Sequence, residues 1–323
     1  MAVSMTSPPS LFAIEGAQLL FAVLFAPVLY GWIAVCRAAL SNRSPAGILQ
    51  PYRDLRRLFG KEILVPDQTS FLFPLVPIAV FGGLAASSLF IPFLWPDPVL
   101  SPVSDAIVLV GIFSLVRIMM AFGAMDTGTP FGDLGARREM MVAFLAEPAT
   151  LMVLFTSSLW SRSTELPSIL SSLLSSSDPF RPSLVFAFLA YTLILLGENA
   201  RLPIDNPATH LELTMIHEAM ILEYSGPFLA LMEWGAQLRL LLYLLIGIDF
   251  FLPWGMTTQI SVMGFASGGL VLLAKLFLAG SGLALIETLF AKLRIFRVPE
   301  FMAMAYLLAV MGFLIHFVLE VQS

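Results

Sequence analysis

The chain consists of long apolar runs separated by shorter polar segments. Several runs reach the roughly 20 consecutive apolar residues that a helix needs to cross a bilayer, and the pattern lacks the short alternating segments of a β-barrel. It predicts an all-α, polytopic membrane protein with about eight transmembrane helices in one transmembrane domain, residues 1–323. The predicted spans are 11–36, 71–94, 105–122, 140–160, 183–198, 226–252, 260–290 and 301–320.

Composition supports this architecture and limits the chemistry. Hydrophobic residues make up 58% of the chain and charged residues 12%, whereas a soluble protein carries about 25% charged residues. Cys36 is the only cysteine; an iron–sulfur cluster needs about four thiolates, so neither such a cluster nor a thiolate-bound nickel centre is expected. The three histidines are well separated, which argues against a metal site. We expect no cofactor on this chain and any redox centre on partner subunits.

The basic residues are distributed unevenly between the polar segments. Twelve of the 17 lysines and arginines lie in four loops, and only Arg162 and Arg181 lie in the loops of the opposite side. The four basic loops are 37–70, 123–139, 199–225 and 291–300. Basic loops stay on the cytoplasmic side of a membrane. We therefore predict a protein of the cell inner membrane with cytoplasmic basic loops and both termini on the outer side.

The first basic loop contains the segment GILQPYRDLRRLFGKE, in which apolar residues are interspersed with arginines and a lysine. This composition predicts a short amphipathic helix that lies at the membrane interface. Such a helix is compatible with an anchor to anionic lipids or with a docking surface for a soluble partner, and composition leaves both open.

Ionisable residues within predicted spans concentrate in the cytoplasmic half. Each costs about 2.5–3.5 kcal/mol on insertion scales, so such residues usually mark ion paths or internal pairs. The cytoplasmic set is Glu139, Glu147, Glu198, Glu223, Glu233 and Glu287, with Lys275 deeper in its span. The outer-half acids Asp105, Asp249 and Glu320 lie near span ends.

This asymmetry predicts a half-channel rather than a complete transmembrane path. Protons would enter from the cytoplasm, reach the midplane near Lys275 and pass sideways to another subunit. The alternative is that the acids only pair locally with Arg117, Arg239 and Lys275.

The segment ENARLPIDNPATHLELTMIHEAMILEYSG adds Asp205 and Glu212 to this set. Its prolines interrupt the helix that precedes them, and Asn206-Pro207 is a suitable start for a new helix over about 207–223. Clustered carboxylates raise one another's pKa and can then exchange protons near neutral pH, and Arg201 has the sign to hold one of them ionised. The segment HEAMI begins like a zinc motif but has Ile221 where the second histidine belongs.

Three motifs, in this order, carry a resemblance to a known family. The first is RSPAGILQPYRDLRRLFGKEILVP, the second is MDTGTPFGDLGARREMMVAFLAEP at 125–148, and the third combines Glu198, Arg201, Pro203 and Asp205 with Glu212-Leu213 and Glu223-Tyr-Ser-Gly. Together they resemble subunit 1 of respiratory complex I and the equivalent subunit of membrane-bound [NiFe] hydrogenases. The second motif is similar to the hydrogenase-4 and formate hydrogenlyase subunit 4 branch. The chain departs from the pattern by about three extra residues between Glu212 and Glu223.

The resemblance implies a subunit that anchors a soluble iron–sulfur and catalytic arm through its cytoplasmic loops. In complex I such a subunit also walls the quinone cavity, and its acids line a proton route to antiporter-like subunits. Carried onto this chain, the proton path includes Glu139, Glu147, Glu198, Asp205, Glu212 and Glu223, with Arg201 as partner charge. The docking loop includes Arg43, Arg53, Asp54, Arg56 and Lys61.

The sequence therefore favours a non-catalytic, membrane-anchoring and proton-coupling subunit of a group 4 [NiFe]-hydrogenase or formate-hydrogenlyase-like complex. Iron–sulfur clusters and, in a hydrogenase, a nickel–iron centre would lie on its partners. The alternative is subunit 1, the H-type subunit, of an NADH:quinone oxidoreductase or a related nickel-free complex. Two hypotheses from other functional classes are a stand-alone ion transporter and a purely structural membrane anchor. No nucleic-acid partner is expected.

Overall fold

The computed structural model describes residues 8–95, 103–175, 181–201, 215–256, 262–290, 293 and 297–320. Apart from one isolated bridge between Asp105 and Glu165, the regular structure of this part of the chain is helical. The predicted all-α class is therefore confirmed.

Eleven helices are present in the described residues. They are α1 (Pro8–Leu40), α2 (Gln50–Phe59), α3 (Leu72–Phe90), α4 (Ala106–Asp126), α5 (Pro130–Ser161), α6 (Leu166–Ser175), α7 (Pro182–Glu198), α8 (His217–Ile221), α9 (Gly226–Phe251), α10 (Val262–Leu289) and α11 (Val298–Ile315). A short π-helical turn, His316–Glu320, follows α11.

Seven of these helices are long and apolar enough to cross a membrane: α1, α3, α4, α5, α9, α10 and α11, the last with its π-helical extension. The predicted span 183–198 corresponds to α7, which is apolar but has 17 residues. At about 1.5 Å per residue it is roughly 25 Å long, a little less than the roughly 30 Å hydrocarbon thickness of a typical bilayer. The Ser-rich connector after α5 contains α6, which buries Ile169 and Leu170.

Local sequence explains where the helices begin. The Thr129 hydroxyl caps α5 by accepting a hydrogen bond from the Gly132 amide, and Pro130 occupies the first turn, where its missing N–H costs nothing. This start lies ten residues before the predicted span 140–160, so much of the predicted loop 123–139 is helical. The cap also gives the TGTP motif a structural role. Proline likewise occupies the first turn of α2, α7, α9 and α11.

Helix α9 is the centre of the bundle. In its most apolar stretch, 72% of α9 is buried, whereas the other candidate spans are 28–50% buried. It packs against α1, α2, α3, α7 and α10, while α5 and α7 pack against α11. A helix buried on all sides is surrounded by protein rather than by lipid. Groups on α9 are therefore well placed to connect the two ends of the molecule.

The loop that contains α2 is held tightly against the bundle. The Ser225 hydroxyl accepts a hydrogen bond from the Leu64 amide and donates one to the Leu64 carbonyl. Gly226 has a φ of +54°, and a Cβ there would lie 2.5 Å from the Glu62 carbonyl oxygen, so only glycine fits. Tyr224 stacks on Phe73 with ring centroids 4.2 Å apart. The EYSG motif thus forms the contact between this loop and the start of α9.

The predicted basic loops meet at one end of the bundle, which we call the basic end. There the Ser70 amide donates to the Asp126 carboxylate, and Arg37 at the end of α1 reaches Glu287 at the end of α10. The other end, where Asp105 pairs with Thr164, is called the opposite end.

Candidate functional site

A buried group of charged residues is centred on Arg117 of α4. Its guanidinium contacts three carboxylates, which come from α5 and from the last residue of α7. Nη2 donates to Glu198, Nη1 lies 3.2 Å from Glu147, and Nε lies 3.4 Å from Glu139. These four residues are called the Arg117 cluster.

Burial makes the charges of this cluster interdependent. Arg117, Glu139 and Glu198 are each at most 5% exposed, while the side chain of Glu147 is 34% exposed. One cation faces three acids, and an unpaired charge in so dry a place is very unfavourable. The four groups therefore depend on one another electrostatically, and the loss of any one of them changes the environment of the rest.

A second charged group, the Glu287 cluster, lies at the basic end. The carboxylate of Glu287 is buried and contacts Arg201 at 3.1 Å and Arg37 at 3.4 Å. The Arg201 guanidinium also lies over the Tyr30 ring, 4.7 Å from its centroid, a favourable cation–π arrangement. Arg201 thus pairs with Glu287 of α10, an acid outside the segment whose carboxylates it was predicted to hold ionised.

His217 at the start of α8 lies between the two clusters. Its Nδ1 is 3.4 Å from Nη2 of Arg239 on α9, and because arginine can only donate, Nδ1 must be the unprotonated nitrogen. Burial and the nearby charges of Arg239 and Arg117 hold the pKa of His217 well below its usual range. The imidazole is therefore neutral at physiological pH.

A cavity of about 370 Å³ opens between α1, α2, α8, α9 and α10. One wall carries the Glu287 cluster and His217, and the facing wall carries Asp54, Glu218 and Glu233. Asn199, the residue after Glu198, also lines it, so the cavity adjoins the Arg117 cluster. Oδ1 of Asn199 and Oε1 of Gln237 have no hydrogen-bond partner among the described residues. A polar cavity of this size is suited to water or a small molecule.

Several predicted path residues lie elsewhere. Glu223 is exposed, on the turn before α9. Lys275 lies beside the C-terminal end of α9, where Nζ donates to the carbonyls of Leu252 and Trp254. Asp205 and Glu212 lie outside the described residues, as does the part 207–214 of the predicted helix 207–223.

The predicted docking residues are mostly exposed on and around α2. Arg43, Arg53, Arg56 and Lys61 are exposed at the basic end. Asp54 points the other way, since it lines the cavity and bonds to Gln50 and Arg57. The predicted amphipathic helix is therefore present, with a basic outer face and an acidic residue on its cavity side.

Sequence reasoning gave Arg117 and Arg239 only as candidates for local pairing and did not select Arg37, Glu218 or Gln237. An arginine inside an apolar span is a signal of a buried acid elsewhere, so Arg117 could have been chosen as the centre of the site. The cavity residues could not, because they meet only in three dimensions. Within the described ranges, no three His, Cys, Asp or Glu side chains are arranged to hold a metal ion.

Comparison with known proteins agrees with this architecture. The chain is 32% identical over 294 residues to formate hydrogenlyase subunit 4 of Escherichia coli (strain K12), covering 90% of this chain and 93% of the relative. It is 28% identical over 263 residues to hydrogenase-4 component C of the same organism, covering 81% of this chain and 82% of the relative.

A solved structure has the same fold. It is a chain of the membrane-bound sulfane sulfur reductase, an archaeal respiratory membrane complex, with a TM-score of 0.81 and 19% identity. The likeness covers 94% of this chain and 99% of that chain. The family model for NADH dehydrogenase matches residues 12–318, and the resemblance inferred from the three motifs is confirmed. The chain belongs to the NADH dehydrogenase family of membrane subunits, the family of complex I subunit 1.

Proposed function

We propose that this complex I-like membrane subunit couples redox chemistry on a docked soluble arm to proton movement within a formate-hydrogenlyase-like or group 4 [NiFe]-hydrogenase complex. In this role it anchors the arm at the basic end and takes protons from the cytoplasm into the bundle. Antiporter-like membrane subunits receive them. The chain itself carries no redox centre, and iron–sulfur clusters and a nickel–iron centre belong to its partners.

The observation that carries this proposal is the proximity of a cavity with ionisable groups in its lining to a buried group of carboxylates. Asn199 lines the cavity, and Glu198 of the Arg117 cluster is the residue that precedes it. His217 lines the cavity and also interacts electrostatically with Arg117 and Arg239. A charge change at the cavity is therefore felt by the cluster across a medium of low dielectric, where electrostatic interactions are strong.

The charge pattern of α2 supports the docking part of the proposal. Arg53 and Arg56 are exposed on the outer face of a helix whose other side closes the cavity. A soluble partner bound to this face would have its redox centre next to the cavity. We place this end in the cytoplasm by the positive-inside rule, with both termini on the outer side of the inner membrane.

The alternative, the H-type subunit of an NADH:quinone oxidoreductase or of a related nickel-free complex, has one observation in its favour. The cavity of about 370 Å³ is within the roughly 300–1,000 Å³ typical of small-molecule sites. The relatives named above favour the hydrogenase reading. Gentle purification of the complex, mass spectrometry of its subunits and nickel analysis would separate the two, since only the hydrogenase contains nickel.

The coupling role is tested by changing Glu139, Glu147 and Glu198 singly to Gln. Each variant keeps the side-chain shape and removes one proton-transfer group, and such a group contributes on the order of 10²-fold in rate. We expect the complex to assemble and to retain redox turnover with artificial carriers, while proton translocation in inverted vesicles falls steeply. Glu165→Gln, an exposed acid of the opposite end, is the matched control.

Full translocation in all three variants would contradict the coupling role and leave a structural anchor. Isolation of the chain alone as an active ion transporter would contradict the assignment to a multisubunit complex.

A further inference from the structure

Outside these two clusters, Asp249 is an acidic residue of the bundle, two residues before the end of α9. Its side chain is buried, with 3% exposure, and neither carboxyl oxygen has a hydrogen-bond partner among the described residues. Sequence position suggested only an acid near a span end. A buried carboxyl without hydrogen bonds is held more easily as the neutral acid than as the carboxylate, so this residue needs a role.

The groups that face Asp249 come from several elements. Lys275 of α10 and Tyr191 of α7 are the titratable ones, and both lie close enough to interact electrostatically with the carboxyl. The remaining surroundings are apolar and include Ile91 and Pro92 after α3 and Leu170 of α6. Within this part of the bundle, Asp249 therefore has one cation and one phenol as polar neighbours.

Asp249 lines two small cavities, each of about 10 Å³, which is about the space of a single water. The one against α6 is lined by apolar surface alone, which disfavours a water there. The other is lined by Lys275 and by the Leu252–Met256 segment that follows α9. Lys275 is half-buried, and its Nζ donates to the carbonyls of Leu252 and Trp254. A space for one water and the half-buried ammonium of Lys275 thus lie between Asp249 and the surface of the opposite end.

On the inner side, two buried tyrosines lie between Asp249 and the Arg117 cluster. The Tyr191 hydroxyl donates to the Tyr243 carbonyl at 2.6 Å, and the two rings are stacked with centroids 6.4 Å apart. Tyr191 interacts electrostatically with both Asp249 and Glu198, and Tyr243 does so with Glu198. Gly247 makes room for Tyr191, because a Cβ there would lie 2.9 Å from its ring.

We propose that Asp249 and Lys275 form a proton-exchange site at the opposite end of this chain, electrostatically coupled to the Arg117 cluster across Tyr191 and Tyr243. The site rests on the proposed function for its source of protons. It extends that function, because the chain then has proton-binding groups at both ends of α9 and not only a half-channel from the basic end.

The exchange consists of a single proton transfer. When Asp249 binds a proton it becomes the neutral acid, and Lys275 stays on the carbonyls of Leu252 and Trp254. When the proton leaves, through water in the cavity beside Lys275, the carboxylate attracts the ammonium and the pair becomes a buried ion pair. No other bond is made or broken, and Lys275 keeps its charge throughout.

The test uses N,N′-dicyclohexylcarbodiimide, an apolar reagent that reacts with protonated carboxyls, on the whole complex in membranes. We expect modification of Asp249, read by peptide mass spectrometry, that decreases as the pH rises. Lys275→Met should extend the modification to higher pH, because the cation that stabilises the carboxylate is gone. Asp105, at the same end, accepts hydrogen bonds from the Ile107 amide and Thr164 and is the unreactive control.

Infrared spectroscopy provides a second measurement that does not depend on reagent access. A protonated carboxyl band should be present in the wild type and lost in Asp249→Asn. Its absence, or modification of Asp249 that Lys275→Met leaves unchanged, would overturn the site. Proton translocation separates the two proposals: if Asp249→Asn translocates normally while Glu198→Gln does not, the exchange site fails and the coupling role stands. If Asp249→Asn and all three of Glu139→Gln, Glu147→Gln and Glu198→Gln translocate normally, both proposals fail.

Discussion

Arg117 of α4 donates to Glu198, the last residue of α7, across a sequence separation of 81 residues. The same guanidinium also contacts two acids of α5, so three helices share one buried cation. Arg117 keeps its charge, so the cluster holds one fixed cation against three acids that the helices bring together. In the proposed coupling role, these acids are the groups that exchange protons.

Replacing Arg117 should be far more damaging than replacing any one of its acids. Arg117→Gln leaves the buried Glu139 and Glu198 and the partly exposed Glu147 without their cation, and removing one partner of a buried pair costs about 3–5 kcal/mol. Glu147→Gln leaves the cation with two partners. We therefore expect a large fall in the unfolding temperature of the detergent-solubilised complex for Arg117→Gln and a small one for Glu147→Gln. Equal destabilisation by the two variants would refute a shared cation.

Charge reversal on the outer face of α2 should release the soluble arm. In Arg53→Glu combined with Arg56→Glu, two exposed cations at the basic end become acids, and rim charges mainly govern association and its salt dependence. We expect the iron–sulfur subunits to dissociate during affinity purification at moderate salt. Arg162→Glu, an exposed arginine at the opposite end, should leave the complex intact. Retention of the arm by the double variant would reduce α2 to a lipid anchor.

The neutral state of His217 predicts a pH-dependent opening of α8. The pKa of His217 is depressed in the folded chain, whereas an opened segment binds a proton below about pH 6.5. The opened form then holds more protons than the folded one, so local stability is lost as the pH falls through that value. Hydrogen exchange of residues 215–225, corrected for its intrinsic rate, should accelerate at acidic pH. His217→Gln should remove this dependence; an unchanged pH profile would show that another group controls it.

The contact between α1 and the docking loop can be tested with a matched pair of glycines. A Cβ at Gly31 would lie 1.9 Å from the Ile48 carbonyl oxygen, whereas one at Gly16 of the same helix meets nothing within 4 Å. Gly31→Ala must therefore push the loop away, and overpacking of this kind costs about 1–3 kcal/mol. Trypsin should then cleave faster at Arg56 and Arg57. Gly16→Ala should be cut at the wild-type rate, and equal rates for both variants would count against the close approach.

Much of the fold could be predicted because it depends on the length of the apolar runs and on the charge of the loops between them. The limits of α9 and α10 follow within two residues from the predicted spans 226–252 and 260–290. The early start of α5 did not follow from the predicted span 140–160. The Thr129 cap and Pro130 act locally and outweigh the polar composition of 133–139. Helix boundaries set by caps are hard to see when hydropathy alone is read.

The site was only partly predictable for a different reason. Sequence position measures depth along a helix but not which neighbour a side chain faces. Glu147 and Glu198 were selected on depth, and both contact Arg117. Glu223 was selected on the same grounds and is exposed. Asp249 was set aside as a span-end acid, although the surrounding helices bury it.

The geometry of the Arg117 cluster also bears on how the protein is made. Arg117 lies in the middle of an apolar helix that leaves the ribosome before Glu139, Glu147 or Glu198 has been synthesised. Alone in a bilayer, α4 would carry an unpaired arginine at a cost of about 2.5–3.5 kcal/mol. The turn 127–129 is short, so α4 and α5 can enter the membrane as one hairpin in which that charge is already neutralised. Glu198 then joins when α7 arrives, which makes the buried arginine a checkpoint for the order of membrane insertion.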